Sequence, residues 1–206
     1  MMKKQQLNLV SWFSLVLVAV TCAGCYKPIT KTSKYMVQLS PPPPAQKPPP
    51  GKSLVCLHRP RASQGYRLYT AVWTSTGTLE STKLVADLGN GHSVAFVCEP
   101  GKHYFLNDSV EVWGAVEVQL LPDQVYDLWI DTAGVAIASF KIKPVERQQE
   151  RAKIPEWIEK QRWVASGPSA TSYDQKKREK ADLVIAEFIS GKRMDKLQHM
   201  AADNHR

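Results

Sequence analysis

The side chains able to do chemistry are few and scattered. The histidines are His58, His92, His103, His199 and His205. None is spaced as HExxH or HxH, so no two are set to share a metal ion, which a closed site surrounds with about four ligands. His199 and His205 lie close to the end of the chain. No GxSxG elbow, Walker loop or GxGxxG fingerprint occurs. Ser93 follows His92 directly, and adjacency does not make a triad. Cys98 and His103 flank Pro100-Gly101, and a tight hairpin there would bring a thiol toward an imidazole, the pair that a cysteine nucleophile needs. Core packing or a disulfide is the competing role for Cys98. The expectation is a chain with no catalytic, cofactor-binding or metal-binding residues, and hence not an enzyme.

The N-terminus carries a different kind of chemistry. MMKKQQ precedes an apolar run of 14 residues, Leu7–Val20, and then TCAGC. A basic start, a short apolar core and small residues before a cysteine form the layout of an export signal. A membrane span needs about 20 residues. Counted on to Gly24 the run reaches 18, which keeps an uncleaved anchor as a second reading. The sequence around Cys25 resembles the lipobox of bacterial lipoproteins. Ala23 and Gly24 are small, and Cys22 stands where that family usually has Leu. The resemblance implies cleavage before Cys25, a diacylglycerol on its thiol and an acylated new N-terminus. Cleavage before Cys22 competes, with the bulkier Val20 and Thr21 ahead of it. At about 0.8 kcal/mol per buried methylene, three acyl chains would hold the protein on a membrane. Tyr26 follows Cys25, where the family's inner-membrane members carry Asp. That resemblance implies the periplasmic face of the outer membrane.

Charge is unevenly spread. Residues 25–50 hold four lysines and no acids, residues 51–140 carry net −3, and residues 141–206 carry net +5. A basic balance can signal nucleic acid, but export and the lack of a nucleic-acid motif argue against it. Anionic lipid, an acidic partner and the chain's own acidic middle remain. Cys56 and Cys98 would survive cleavage. Export favours a bond between them, and buried free thiols are the alternative.

Seven of residues 41–50 are proline. That run reads as a stiff polyproline spacer of roughly 30 Å between anchor and body. From Ser53 short alternating runs are broken by turn residues. Strands are expected at 53–58, 66–74, 78–88, 92–99, 103–107, 111–121, 125–131 and 135–142. Seven or eight such strands predict an all-β core, an Ig-like β-sandwich or small barrel. Beyond Pro144 the pattern turns helical. PEWIEKQRWVA starts at Pro155. Ser172 and Gln175 read as a capping box, and Ala181, Val184, Ile185, Phe188 and Ile189 share one helix face. The organisation is therefore a signal over 1–24, a lipidated linker over 25–52, a β domain over 53–144 and a basic helical extension over 145–206.

Arg59-Pro60 after the first strand, Pro100-Gly101-Lys102-His103 at a turn and a late strand from Tyr126 resemble a family of bacterial envelope lipoproteins of unknown function. The resemblance spans about 90 residues and implies a small β-sandwich on a lipid anchor. Strand parity adds one surface. Glu111, Trp113 and Glu117 share a face of one strand, and Asp127, Trp129 and Asp131 share a face of the next. If the two strands pair as a hairpin, two tryptophans stand among four carboxylates. That face is open to two uses: recognition of a sugar or cationic partner, or docking of the chain's own basic, Trp-bearing tail. The tail's stripe binding another subunit is a third. The function these features point to is non-catalytic binding or structural support at the cell envelope, with an envelope protein or a cell-wall polymer as partner. A secretion-complex subunit docking through the C-terminal helix and a cell-wall hydrolase are the rivals.

Overall fold

The computed structural model describes residues 31–40, 47–62, 65, 68–78, 81–108, 113–133, 139–193, 197–201 and 203–205. The signal, Cys22, Cys25, Glu111 and most of the proline run lie outside the described residues. The described residues are mostly β, with eleven strands among them in two mixed sheets. In chain order the elements are β1 (Met36–Gln38), β2 (Ser53–Arg59), β3 (Thr70–Ser75), β4 (Lys83–Leu88), β5 (His92–Cys98), β6 (Gly101–Asn107), β7 (Gly114–Leu120), β8 (Val125–Ala133) and β9 (Ser139–Pro144). There follow α1 (Gln148–Arg151), α2 (Ile154–Lys160), β10 (Arg162–Ser166), α3 (Ala170–Ile189) and β11 (Leu197–Met200).

One sheet runs β1-β10-β5-β2-β8-β9 and the other β11-β7-β6-β3-β4. Strand β2 is central and buried along its whole length. It pairs antiparallel with β5 and parallel with β8. A strand covered on both faces needs a continuous apolar run, which SLVCLHR nearly is. Its parity splits the side chains. Val55 and Leu57 join a cluster with Phe105, Val116 and Val118 of the other sheet. Leu54 and Cys56 face away from that cluster, toward Trp163.

A polar stitch ties the sheets at one corner. Asn107 of β6 donates to Phe140 O (2.8 Å) and accepts from Ile142 N (3.0 Å), both on β9. Gly114 stands opposite Asn107 in the ladder, and a Cβ there would come within 2.9 Å of the Asn107 amide oxygen. Only a residue without a side chain leaves the stitch intact.

Several expectations change. The segment beyond Pro144 is not an appendage: β10 lies between β1 and β5, and β11 pairs with β7. RWVAS, read as the end of a helix, is aromatic and β-branched and becomes strand once α2 stops at Lys160. The proline run does not separate anchor from body. Met36 already sits in the core, and β1 pairs with β10, so the run joins two strands of one body. Pro100-Gly101 is not a hairpin: β5 and β6 belong to different sheets, and Gly101 (φ +130°) takes the chain across. Ser172 makes no capping box, because α3 begins before it and its hydroxyl donates to Ser169 O.

Candidate functional site

The paired-strand face does not exist as one surface. β7 and β8 lie in different sheets, so Trp113 and Trp129 stand on separate faces, each covered by the chain itself. Trp113 joins Trp73, Tyr104 and Leu106 beneath Ala181, Val184, Ile185 and Phe188 of α3. The apolar stripe of the C-terminal helix is thus spent on its own sheet. Lys180 lies 5.4 Å over the Trp113 ring. Trp129 stacks on Trp157 of α2 (5.6 Å, 14°). The carboxylates have partners too: Glu117 meets Lys102 (3.2 Å) and His199 (3.5 Å), and Asp131 meets Lys143 (2.5 Å). Burial pushes the Glu117 carboxyl up, but hydrogen bonds from Tyr104 and Lys102 outweigh it and hold the group low.

Cys56 and Cys98 are both buried, and the expected bond between them is not formed. The reason is strand parity. Cys98 stands opposite Ser53 in the β2–β5 ladder and faces the core, whereas Cys56, three residues along, faces the other side. Chemistry also argues against a cysteine nucleophile. Burial pushes the Cys98 thiol up to about 12, so it stays protonated and inert. His103 engages Glu99 O through Nε2 at 2.9 Å.

The structure assembles a group of residues that sequence spacing does not suggest. On the β5-β2-β8 face turned from the core, His58 Nδ1 lies 3.0 Å from Ser93 Oγ, and His58 Nε2 lies 2.9 Å from Asp127 Oδ1. Ser93 Oγ in turn donates to Gln161 Oε1, just past α2. The order serine–histidine–carboxylate is that of a nucleophile relay. Its setting is not: Ser93 and His58 are 0% exposed, and Trp157 and Trp163 stand 5.5 and 6.0 Å from the imidazole. No substrate atom reaches the hydroxyl. The relay instead joins three strands to the segment that covers them.

Asp127 also lines a groove of about 540 Å³ with Val145, Arg151, Ile154, Pro155, Ile158, Asn204 and His205. Asn204 is nine-tenths buried, and its amide nitrogen has no hydrogen-bond partner among the described residues. A buried polar group left so is uncommon and marks a place where an acceptor is wanted. Sequence reasoning placed Asp127 on a shared face, but missed His58, Ser93, Gln161 and Asn204. The alternation Leu54, Cys56, His58 was the available signal for one of them. Nothing local links His58 to residues 35 and 69 positions away.

The residues that carry the resemblance to lipoproteins are structural where they are described. Arg59 is 1% exposed, donates to the carbonyls of Gly65, Leu68 and Leu88, and lies 4.3 Å over the Phe140 ring. Tyr126 Oη accepts from Leu121 N at 2.9 Å. No cluster of metal-binding side chains occurs among the described residues, and no helix there is long and apolar enough to cross a membrane. No family model matches the chain, and no curated protein matches it.

Proposed function

We propose that this chain is a bacterial envelope lipoprotein, held by acyl chains on Cys25 at the periplasmic face of the outer membrane, whose body binds a small ligand without transforming it. The observation that carries the binding role is the groove beside Asp127, with its aliphatic walls and an Asn204 amide nitrogen that has no partner among the described residues. Concave apolar sites with a few polar groups are where small molecules bind. The tether in this reading is short. Ser33 is buried and its hydroxyl donates to Asp87, so only the residues after Cys25 and before it span the gap, reaching at most roughly 28 Å. The body would sit close to the headgroups rather than far above them.

We read the two sheets as halves of an Ig-like β-sandwich. The cluster shared by both sheets supports this, as does the Tyr126–Leu121 bond, which resembles a tyrosine corner. The parallel pairings of β2 with β8, β10 with β5 and β11 with β7 are additions to such a plan.

Two measurements test the proposal. Mass spectrometry of the mature N-terminus should find acyl groups on Cys25, and a lipid on Cys22 or an intact Met1 would refute the anchor. Native mass spectrometry of the chain released gently from a bacterial envelope should find a small bound mass, lost in a Pro155→Trp variant that plugs the groove. No bound mass in either protein would sink the binding role.

A further inference from the structure

On the strength of the binding role given to the groove, we propose that its ligand is a small aliphatic carboxylate, with its chain along Val145, Ile154, Pro155 and Ile158 and its head toward Asn204, His205 and Arg151. The walls set the body of the ligand. All four wall residues are aliphatic, and such a surface gains by covering a hydrocarbon chain and gains little from a polyol. The volume of about 540 Å³ falls within the range of roughly 300–1,000 Å³ for small-molecule sites.

The polar side chains set the head. Arg151 carries only donors, and a guanidinium matches a carboxylate with two parallel hydrogen bonds. His205 adds a ring N–H. Asn204 adds an amide that is nine-tenths buried and whose nitrogen has no acceptor among the described residues. Rotation about its terminal torsion presents either amide atom to the groove. The carboxylate among the lining residues, Asp127, is held 2.9 Å from His58 Nε2, so one of its oxygens is already engaged. The groove therefore offers donors in excess of acceptors. A cationic head would meet Arg151 and leave the Asn204 amide nitrogen as it is.

Calorimetric titration of the purified full chain with decanoate, decanol and decyltrimethylammonium, each below its aggregation concentration, tests this. Decanoate should bind with one-to-one stoichiometry and about tenfold more tightly than either of the others. Arg151→Glu should abolish that preference with the melting temperature unchanged, because Arg151 is exposed. Asn204→Leu should weaken decanoate more than decanol. Tighter or equal binding of decyltrimethylammonium would overturn the proposal, as would decanoate binding indifferent to both variants. If none of the three binds while the envelope-derived protein keeps a mass that Pro155→Trp removes, the ligand class is wrong and the binding role stands. If that mass is also missing, both fall.

Discussion

The two sheets bury their second faces in contrasting ways. The β11-β7-β6-β3-β4 sheet is covered by one helix with an aliphatic stripe, Ala181, Val184, Ile185 and Phe188, laid on Trp73, Leu106 and Trp113. The other sheet is covered by a short helix, and the contact is mixed: Trp157 of that helix and Trp163 of the sheet's own strand β10 flank a hydrogen-bonded chain of Ser93, His58, Asp127 and Gln161. An apolar lid is non-directional and tolerates small shifts. A polar lid fixes its parts in one register, because each buried donor needs its own acceptor. The groove lies beside the polar lid, lined in part by Arg151 of α1 and by Ile154, Pro155 and Ile158 of α2.

The largest effect is expected from truncation after Pro144, which removes both lids and an interior strand. The shortened chain should show no cooperative thermal transition by circular dichroism; a melt like that of the full chain would make the lids dispensable. Next come substitutions within each lid. Asp127→Leu leaves His58 buried without its carboxylate and should cost about 3–5 kcal/mol in denaturant unfolding. Adding His58→Leu should recover much of that loss, since no buried ring nitrogen is then left without its partner. Phe188→Ala should cost a similar amount, about 3–5 kcal/mol, with no second change nearby that restores it. Equal additivity in both lids would erase the contrast.

Acid should act next. Burial, with the Arg162 and Arg59 charges, pushes His92 from 6.5 down to about 4. Folded His92 is therefore neutral where the unfolded one is already protonated. Its contribution is complete above pH 6.5 and is lost as pH falls toward 4, amounting to about 3 kcal/mol. Burial pushes Asp87 and Asp108 up, an opposing trend. The histidine is therefore read as the difference between the pH–stability curves of wild type and His92→Gln. Parallel curves would refute it. The smallest effect is expected from reductant. With Cys56 and Cys98 unbonded, dithiothreitol should leave the melting temperature unchanged, and a thiol reagent should label both residues only after unfolding. A downward shift would reveal a bond.

Local pattern made much of this legible. The strands at 53–58, 92–99 and 125–131 and the helix through Phe188 match elements within a few residues, because alternation and helical spacing are local properties. The stop at Gly191 was legible for the same reason: φ there is +79°, a conformation glycine adopts without strain. Pairing was not legible. PGK and LPDQ look like hairpin turns, yet each carries the chain from one sheet to the other, since a turn motif sets local direction and not the partner strand. The three short strands at 36–38, 162–166 and 197–200 were missed because a few residues carry too little pattern to stand out. They exist through the ladders they join.

The sequence by itself determined the N-terminal layout around Cys25, the β-rich middle, the amphipathic helix and the absence of closely spaced metal ligands, because each is written in contiguous residues. Only the tertiary structure decided which faces are covered and by what. It set Cys56 and Cys98 on opposite sides of one ladder, moved Trp113 and Trp129 to different faces, and brought His58, Ser93, Asp127 and Gln161 together beside a groove. Strand order did this. Residues far apart along the chain meet only when their strands become neighbours, and neighbourhood follows from burying the whole of both sheets at once.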